Sequence, residues 1–106
     1  MEKMFVFRKY KKGQGKKNVK HPKLIVDSIK NEYGFMGLTT SSKKGRGHNN
    51  IILKKNPQKG NTNNSYLRRK IEYDDKTLFE EILHNYELSE EDICFLVQYV
   101  EKHKKR

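Results

Sequence analysis

The chain has 106 residues, which is enough for one domain with a modest core, and its lone cysteine, Cys94, excludes an intramolecular disulfide and a multi-cysteine zinc site. It has no run of the roughly 20 apolar residues that a membrane span needs, and its first ten residues lack a signal-peptide pattern, so we expect a cytoplasmic protein. The 24 Lys and Arg residues outnumber the 13 Asp and Glu, and the net charge of +11 favours a nucleic-acid partner over a surface that is basic only for solubility.

The charges are distributed unevenly along the chain. Residues 1–24 carry nine Lys or Arg and one acid, and residues 41–70 carry nine more with no acid. Residues 71–95 reverse this balance, with nine acids and one lysine. Two dense segments of like charge are explained if both face one polyanion, so we expect the RNA surface on them and not on the acidic segment.

Apolar patterns of period two predict five strands in the first two-thirds of the chain. In chain order they span residues 5–8, 23–27, 33–39, 50–54 and 66–73. Pro22 suits the position that opens the second strand, and residues 27–32 are predicted to form a turn. The polar segments 13–15, 41–47 and 56–64 are rich in Gly or Asn, which is typical of loops.

The last third changes to a helical period. Asp74 and Asp75 are candidate caps for a first predicted helix, whose apolar positions are Leu78, Phe79, Ile82, Leu83 and Tyr86. Ser89 is the predicted N-cap of a second helix, whose apolar stripe is Ile93, Leu96, Val97 and Val100, with a staple between Leu88 and Ile93. Cys94 lies in this second helix and is predicted to pack in the core.

Short strands with long polar loops, followed by helices, predict an α+β fold that is mainly β. Because no strand–helix–strand alternation is visible, we expect a small, strongly bent barrel rather than a parallel sheet. The expected organisation is a single domain, residues 1–106, with a basic β-barrel over 1–73 and a helical C-terminal part over 74–106 that packs on it.

Cleavage of RNA needs few protein groups, because the 2′-hydroxyl of the substrate supplies the nucleophile. The protein must position that hydroxyl, stabilise charge on the phosphate oxygens and move protons. Suitable side chains gather at residues 21–23, 39–44 and 48–50. The glycines on either side of Arg46 would also let backbone amides approach a phosphate.

Each of these groups has a structural alternative. His21 also fits a solvated loop, and the Thr and Ser hydroxyls also fit hydrogen bonds to nearby backbone at a strand end. Lys43 and Lys44 also fit phosphate binding without catalysis, and His48 is a candidate proton carrier. Three tyrosines are candidates either for base stacking or for ordinary packing: Tyr10, Tyr66 and Tyr73.

Four short motifs follow one another in the chain: Pro22-Lys23 opens an apolar strand, Leu38-Thr39-Thr40 ends the next, and Lys43-Lys44 and His48-Asn49-Asn50 follow. This order resembles the MazF/PemK (Kid) endoribonuclease toxins, and it is most similar to the ToxN/AbiQ branch, the toxins of type III toxin–antitoxin systems. The chain departs from the MazF branch in having His21 where that branch has arginine, and it is shorter than ToxN-type proteins. Both departures would fit a relative that kept RNA binding and lost cleavage.

The resemblance implies a metal-independent endoribonuclease toxin on an SH3-like barrel, without a cofactor, that cleaves RNA by 2′-hydroxyl attack. It implies Lys23, Thr39 and Thr40 as catalytic residues, to which His48 is added as the candidate proton carrier. The expected RNA-binding residues are His21, Ser41, Lys43, Lys44, Arg46, Asn49, Lys54 and Arg68. A neutralising antitoxin is the implied partner, with a structured RNA favoured and an acidic protein as the alternative.

Two other functions remain open at this point. One is a non-catalytic RNA- or DNA-binding module of a phage or mobile element on the same barrel. The other is a protein-interaction adaptor whose acidic helices dock a partner.

Overall fold

A mainly antiparallel β-sheet followed by one α-helix makes up the part of the chain that the computed structural model describes, residues 2–42 and 49–105. The strands are β1 (Val6–Arg8), β2 (Lys23–Ile29), β3 (Glu32–Thr39), β4 (Ile51–Ile52), β5 (Tyr66–Leu67) and β6 (Glu72–Asp75), and the helix is α1 (Glu90–His103). The Cα radius of gyration is 13.1 Å. The predicted α+β class with a predominance of β structure is confirmed.

The strands are ordered β1-β2-β3-β5-β4, and β6 also pairs with β3. The long strand β3 changes partner along its length: Glu32 to Phe35 pair with β6, whereas Leu38 and Thr39 pair with β5. The predicted strand over 66–73 is therefore two strands, β5 and β6, and the predicted strand over 50–54 is reduced to the two residues of β4. The strand ladders do not close on themselves.

The hairpin of β2 and β3 differs from the prediction of a turn over 27–32. Strand β2 continues to Ile29, and only Lys30 and Asn31 lie between the two strands. The register shifts between Ile25 and Asp27, so Val26 is an extra residue that bulges from the ladder. The polar residues after Val26 do not stop the strand, because they continue to pair with β3.

The predicted first helix, over Leu78, Phe79, Ile82, Leu83 and Tyr86, is absent. Its start is a 3₁₀ turn, Lys76–Leu78, capped by the Asp75 carboxylate, which accepts the Thr77 amide hydrogen at 2.8 Å. The chain then lies along β1. Three backbone bonds link the two segments, from the amide of Lys11 to Leu78, of Glu80 to Lys9 and of Leu83 to Phe7.

Tertiary packing explains why the helical pattern fails in this segment. Phe79 is buried with Tyr10, Ile25, Tyr33 and Phe35 in one apolar cluster. Leu83 and Tyr86 pack against the other, larger cluster, which contains Leu24, Met36, Leu67 and Leu96 among others. A helix would place its apolar residues on one face. The extended chain instead packs apolar side chains into both clusters, and its backbone forms hydrogen bonds with the edge of β1.

The second predicted helix is present as α1. Ser89 is its N-cap, as predicted, and accepts the Asp92 amide hydrogen. Leu96 and Val100 are buried in the larger cluster and Ile93 packs against it, whereas Val97 is 43% exposed. The prediction that Cys94 packs in the core is wrong, because this residue faces outward from the helix and is exposed. Among the described residues, no helix has the length and apolar character required to cross a membrane.

Candidate functional site

A pocket of about 280 Å³ opens where the loop before β2 meets the middle of β3. We call it the lysine pocket; its lining residues are Tyr10, Lys16, Lys17, Asn18, His21, Pro22, Lys23, Phe35, Gly37, Leu38, Arg68 and Glu72. Four of these are lysine or arginine and one is an acid. The pocket is therefore an electropositive concavity of the kind that binds anions.

Lys23, the first residue of β2, lies in this pocket with only 4% of its surface exposed. Its Nζ donates to the carbonyl oxygen of Asn18 at 2.5 Å and to that of His21 at 2.7 Å. The same Nζ lies 4.5 Å from the centre of the Tyr10 ring, within the range of a cation–π contact. The loop before β2 and the Tyr10 ring thus hold the ammonium group in place.

Burial lowers the pKa of Lys23 to about 8, because the charged form loses water; Glu72 opposes this change and Lys9 adds to it. The ammonium is therefore still charged at neutral pH, but it gives up a proton more readily than an ordinary lysine. A group with these properties can stabilise a phosphate oxyanion or donate a proton to a leaving oxygen.

Tyr10 forms one wall of the lysine pocket and is held there by its phenol group. The hydroxyl donates to Asp74 at 3.0 Å, and Asp74 also pairs with Lys16 at 2.7 Å. Burial and then the hydrogen bond to Asp74 raise the pKa of Tyr10, so the phenol stays protonated at any physiological pH. Tyr10 is therefore a fixed aromatic wall beside Lys23, and its burial against Phe35 and Phe79 favours packing, one of the two alternatives that the sequence left open.

Arg68 enters the same pocket from the end of β5. Its backbone amide donates to the carbonyl of Gly37 at 2.9 Å, and a Cβ atom on Gly37 would lie 3.3 Å from the Arg68 Cδ atom. The absence of a side chain at position 37 thus lets the arginine lie across β3. The predicted RNA-binding residues His21 and Arg68 and the predicted catalytic residue Lys23 are brought together here.

A second, narrower pocket of about 160 Å³ lies next to the first. We call it the threonine pocket; its lining residues are His21, Pro22, Leu38, Thr39, Thr40, Asn56, Gln58, Asn61, Ser65 and Tyr86. His21, Pro22 and Leu38 line both pockets. The amide of Leu38 donates to the carbonyl of Pro22 at 3.0 Å, which fixes this common wall.

The predicted catalytic residues Thr39 and Thr40 therefore lie on the other side of that wall from Lys23. The Thr39 Oγ1 accepts a hydrogen bond from the Ser41 amide at 3.2 Å, which is the backbone role that the sequence left as an alternative. The hydroxyl hydrogen of Thr39 remains available as a donor. Thr40 is exposed at the pocket rim.

Asn50 anchors the segment that follows Thr40. It is buried, its Nδ2 donates to the carbonyl of Ser41, and its backbone amide donates to the carbonyl of Ser42. Four of the predicted site residues, Lys43, Lys44, Arg46 and His48, lie in the segment 43–48, outside the described residues.

Two predicted RNA-binding residues lie elsewhere. The carbonyl of Asn49 accepts a bond from Arg69 Nε at 2.6 Å, and the backbone amide of Lys54 donates to the Asp92 carboxylate at the start of α1. Neither residue lines the lysine pocket or the threonine pocket. Tyr73 is also occupied, because its hydroxyl donates to Asp27 at 2.7 Å.

Sequence reasoning missed several residues that line the two pockets. Lys16 and Lys17 belong to the basic segment 1–24, so its charge indicated the region without indicating the residues. Glu72 was not foreseen because it lies in the acidic segment, which was set apart from the site. Asn56, Gln58 and Asn61 lie in the predicted loop 56–64, whose Asn-rich composition is the only sequence signal that distinguishes them.

Among the described residues, no group of three or more His, Cys, Asp or Glu side chains is arranged to hold a metal ion. Comparisons of the chain with protein-family models, with curated proteins and with solved structures found no match.

Proposed function

We propose that this protein is a metal-independent endoribonuclease that binds single-stranded RNA across the lysine pocket and the threonine pocket. The observation that carries this proposal is the common wall of His21, Pro22 and Leu38, with Lys23 on one side and Thr39 on the other. A basic pocket that binds phosphate beside a row of hydroxyl groups is the arrangement that 2′-hydroxyl attack requires.

The chemistry assigns a role to each side chain. The 2′-hydroxyl attacks the adjacent phosphorus, the bond to the 5′-oxygen breaks, and a 2′,3′-cyclic phosphate remains on the upstream strand. Arg68 stabilises the negative charge that develops on the phosphate oxygens, and Lys23 donates a proton to the leaving 5′-oxygen. His21, which lies between the two pockets, accepts the proton of the 2′-hydroxyl, and Thr39 positions that hydroxyl.

The same proposal includes a barrel of the SH3-like kind found in the MazF/PemK and ToxN/AbiQ toxins. Its support is the segment that follows β6, because residues 78–83 run along the free edge of β1 through three backbone hydrogen bonds. Strand β6 pairs with β3, which pairs with β2 and through it with β1, so the segment after β6 connects two ends of this series of strands, as a barrel would require.

We also propose that the protein is the toxin of a toxin–antitoxin pair in the cytoplasm, and that a structured RNA neutralises it. Support comes from the net charge of +11 and from the electropositive pocket, since an RNA antitoxin would compete with the substrate for the same phosphate-binding groups. An acidic protein is the alternative antitoxin.

One observation favours a second function, that of an RNA-binding module without catalysis. Lys23 Nζ already donates to two carbonyl oxygens, and Thr39 Oγ1 already accepts a backbone amide. Groups with these partners can hold the site in shape without taking part in a reaction.

Incubation of the purified protein with a fluorescent single-stranded RNA in EDTA separates the two functions. We expect cleavage that ends in a 2′,3′-cyclic phosphate and that is lost in Lys23→Met and His21→Asn. The matched controls are Lys102→Met on α1 and His84→Asn in the 3₁₀-to-α1 connection, both exposed and outside the two pockets. Intact RNA together with binding that Lys23→Met weakens would support the module and overturn the nuclease.

A further inference from the structure

The threonine pocket has a built polar interior that the proposed cleavage reaction does not use. Four polar residues beyond the threonines line it: Asn56, Gln58, Asn61 and Ser65. Leu38, Pro22 and Tyr86 supply its apolar surface. A concave pocket that combines apolar side chains with a few fixed polar groups is typical of a site for a small ligand, such as a nucleic-acid base.

The amide side chains of this pocket are locked to one another. Asn56 Oδ1 accepts a hydrogen bond from the backbone amide of Gln58 at 2.9 Å, and Asn56 Nδ2 donates to the backbone carbonyl of Asn63. Asn61 Nδ2 donates to Gln58 Oε1 at 3.0 Å, and Asn61 Oδ1 accepts the Asn63 amide. These bonds occupy the oxygen of each of the three side-chain amides.

The bond from Asn61 therefore orients the Gln58 amide. Its Oε1 is occupied, and its Nε2 has no acceptor among the described residues. The pocket thus offers an NH₂ donor without an acceptor among the described residues, whereas each amide oxygen already accepts one hydrogen bond, so the pocket favours a ligand that brings an acceptor.

Ser65 adds a hydroxyl group to the lining of this pocket. The residue is only 4% exposed, and within the described ranges its hydroxyl has no hydrogen-bond partner. Among the described residues, Arg8 Nε is the only fully buried side-chain polar atom without a partner, so the Ser65 hydroxyl is accessible from the pocket. It can therefore bond water or a ligand atom there.

We propose that the threonine pocket is a base subsite that takes a base with a carbonyl oxygen, such as uracil, and that this oxygen accepts a hydrogen bond from Gln58 Nε2. This proposal rests on the proposed function, because the phosphate of the same nucleotide lies in the lysine pocket across the wall of His21, Pro22 and Leu38. Adenine has no carbonyl oxygen. An amide that pairs with its N6/N7 edge donates to N7 and accepts from the N6 amino group, and Gln58 Oε1 already accepts a hydrogen bond from Asn61, so adenine fits this arrangement less well.

Binding of fluorescent hexanucleotides tests this subsite. In the wild type we expect U₆ to bind about tenfold more tightly than A₆, which is the effect of about one hydrogen bond. Gln58→Glu keeps the acceptor for Asn61 but replaces the NH₂ donor with an oxygen, so it should lose the preference for U₆ or reverse it. Gln98→Glu, an exposed glutamine of α1, is the matched control and should keep the preference.

Three outcomes are decisive. A preference for U₆ that disappears in Gln58→Glu and persists in Gln98→Glu supports the subsite. Equal affinity for both hexanucleotides, lowered equally by Lys23→Met, overturns the subsite while RNA binding stands. If no hexanucleotide binds, RNA binding at this site and the subsite both fail. Ser65→Ala, which leaves the amide bonds intact, should weaken U₆ binding and serves as a second variant if Gln58→Glu is poorly folded.

Discussion

The ammonium group of Lys23 is buried, and burial disfavours its charged form. The free energy of unfolding should therefore depend on the protonation of this group. Below pH 8 the ammonium is charged in both the folded and the unfolded chain, so the folded state bears the full loss of hydration. Between the folded pKa of about 8 and the usual value of 10.5, the folded chain has released a proton that the unfolded chain retains, so stability rises with pH in this window.

Lys23→Met removes this titration. We expect the variant to become less stable relative to the wild type as pH rises from about 7 to about 9.5. The free energy of unfolding increases over this interval in the wild type only, because only the wild type has the titrating lysine. Urea unfolding at the two pH values measures the difference. Lys102→Met should show no such change, and a difference for Lys23→Met that is constant with pH would contradict the assigned pKa.

The packing around Gly34 leaves no room for a side chain. A Cβ atom there would lie 2.6 Å from the Tyr73 ring and 2.9 Å from the Asp27 Cβ. Neither neighbour can withdraw easily, because the Tyr73 hydroxyl donates to Asp27 at 2.7 Å. Burial, followed by this bond, also raises the pKa of Tyr73 to about 12.

Gly34→Ala should therefore lower the free energy of unfolding by about 1–3 kcal/mol through overpacking. The comparison is Gly37→Ala, whose Cβ meets only the flexible arm of Arg68 and should cost less. Urea titration of both variants measures the two values. Equal stability of Gly34→Ala and the wild type would show that Tyr73 can move aside.

At the scale of elements, α1 is tied to the chain after β4 through Asp92. This buried carboxylate accepts the amides of Lys54 at 2.9 Å and Lys55 at 3.3 Å and the hydroxyl of Ser89 at 2.9 Å. The contact lets an acid of the helix N-terminus satisfy backbone groups in the basic segment. It also gives Lys54 a structural role outside the two pockets, because its backbone amide helps to dock the helix.

Asp92→Ala should destabilise the protein by about 1–3 kcal/mol, because it leaves backbone donors without an acceptor. Glu91→Ala, one residue earlier and exposed, should change stability by no more than about 0.5 kcal/mol. Thermal unfolding followed by circular dichroism measures both. A loss of stability in Glu91→Ala as large as that in Asp92→Ala would mean that helix-terminal charge, rather than the tie to Lys54 and Lys55, is responsible.

Elements with a local cause were predictable, and elements with a distant cause were not. The start of α1 follows from Ser89 and Asp92, which are three residues apart, and the start of β2 follows from Pro22. The failed helix over 78–86 depends on the edge of β1, some seventy residues earlier in the chain, so no local period could reveal it.

The residues of the candidate site also fall into two groups, those that the sequence indicated and those that only tertiary contacts bring to the pockets. Lys23, Thr39 and Thr40 were singled out by the resemblance to the toxin family together with their places at strand ends, and His21 and Arg68 lie in the two basic segments. Glu72 reaches the lysine pocket only because β6 pairs with β3, and Gln58 becomes a donor only because Asn61 binds its oxygen. Such roles arise from contacts that the order of residues does not encode locally.

For the whole molecule, the net charge of +11 should make RNA binding strongly dependent on salt. If the four cations that line the lysine pocket each contact one phosphate, the logarithm of the association constant should fall with the logarithm of salt concentration with a slope of about −3. Arg68→Met should reduce the steepness by about 0.7, whereas Lys102→Met should not. Fluorescence anisotropy in a KCl series gives the slopes, and equal slopes for Arg68→Met and the wild type would place the RNA elsewhere.

The two carbonyl oxygens that hold Lys23 have a further consequence. They belong to Asn18 and His21, so the loop before β2 is fastened by the same ammonium that lies in the lysine pocket. An ammonium has three N–H groups, so these two bonds leave one for the proposed phosphate, and they fix the direction in which it points. A ligand that needs a second bond from Lys23 must displace the loop, so engineering of higher affinity would begin by fastening residues 18–21 through a different contact.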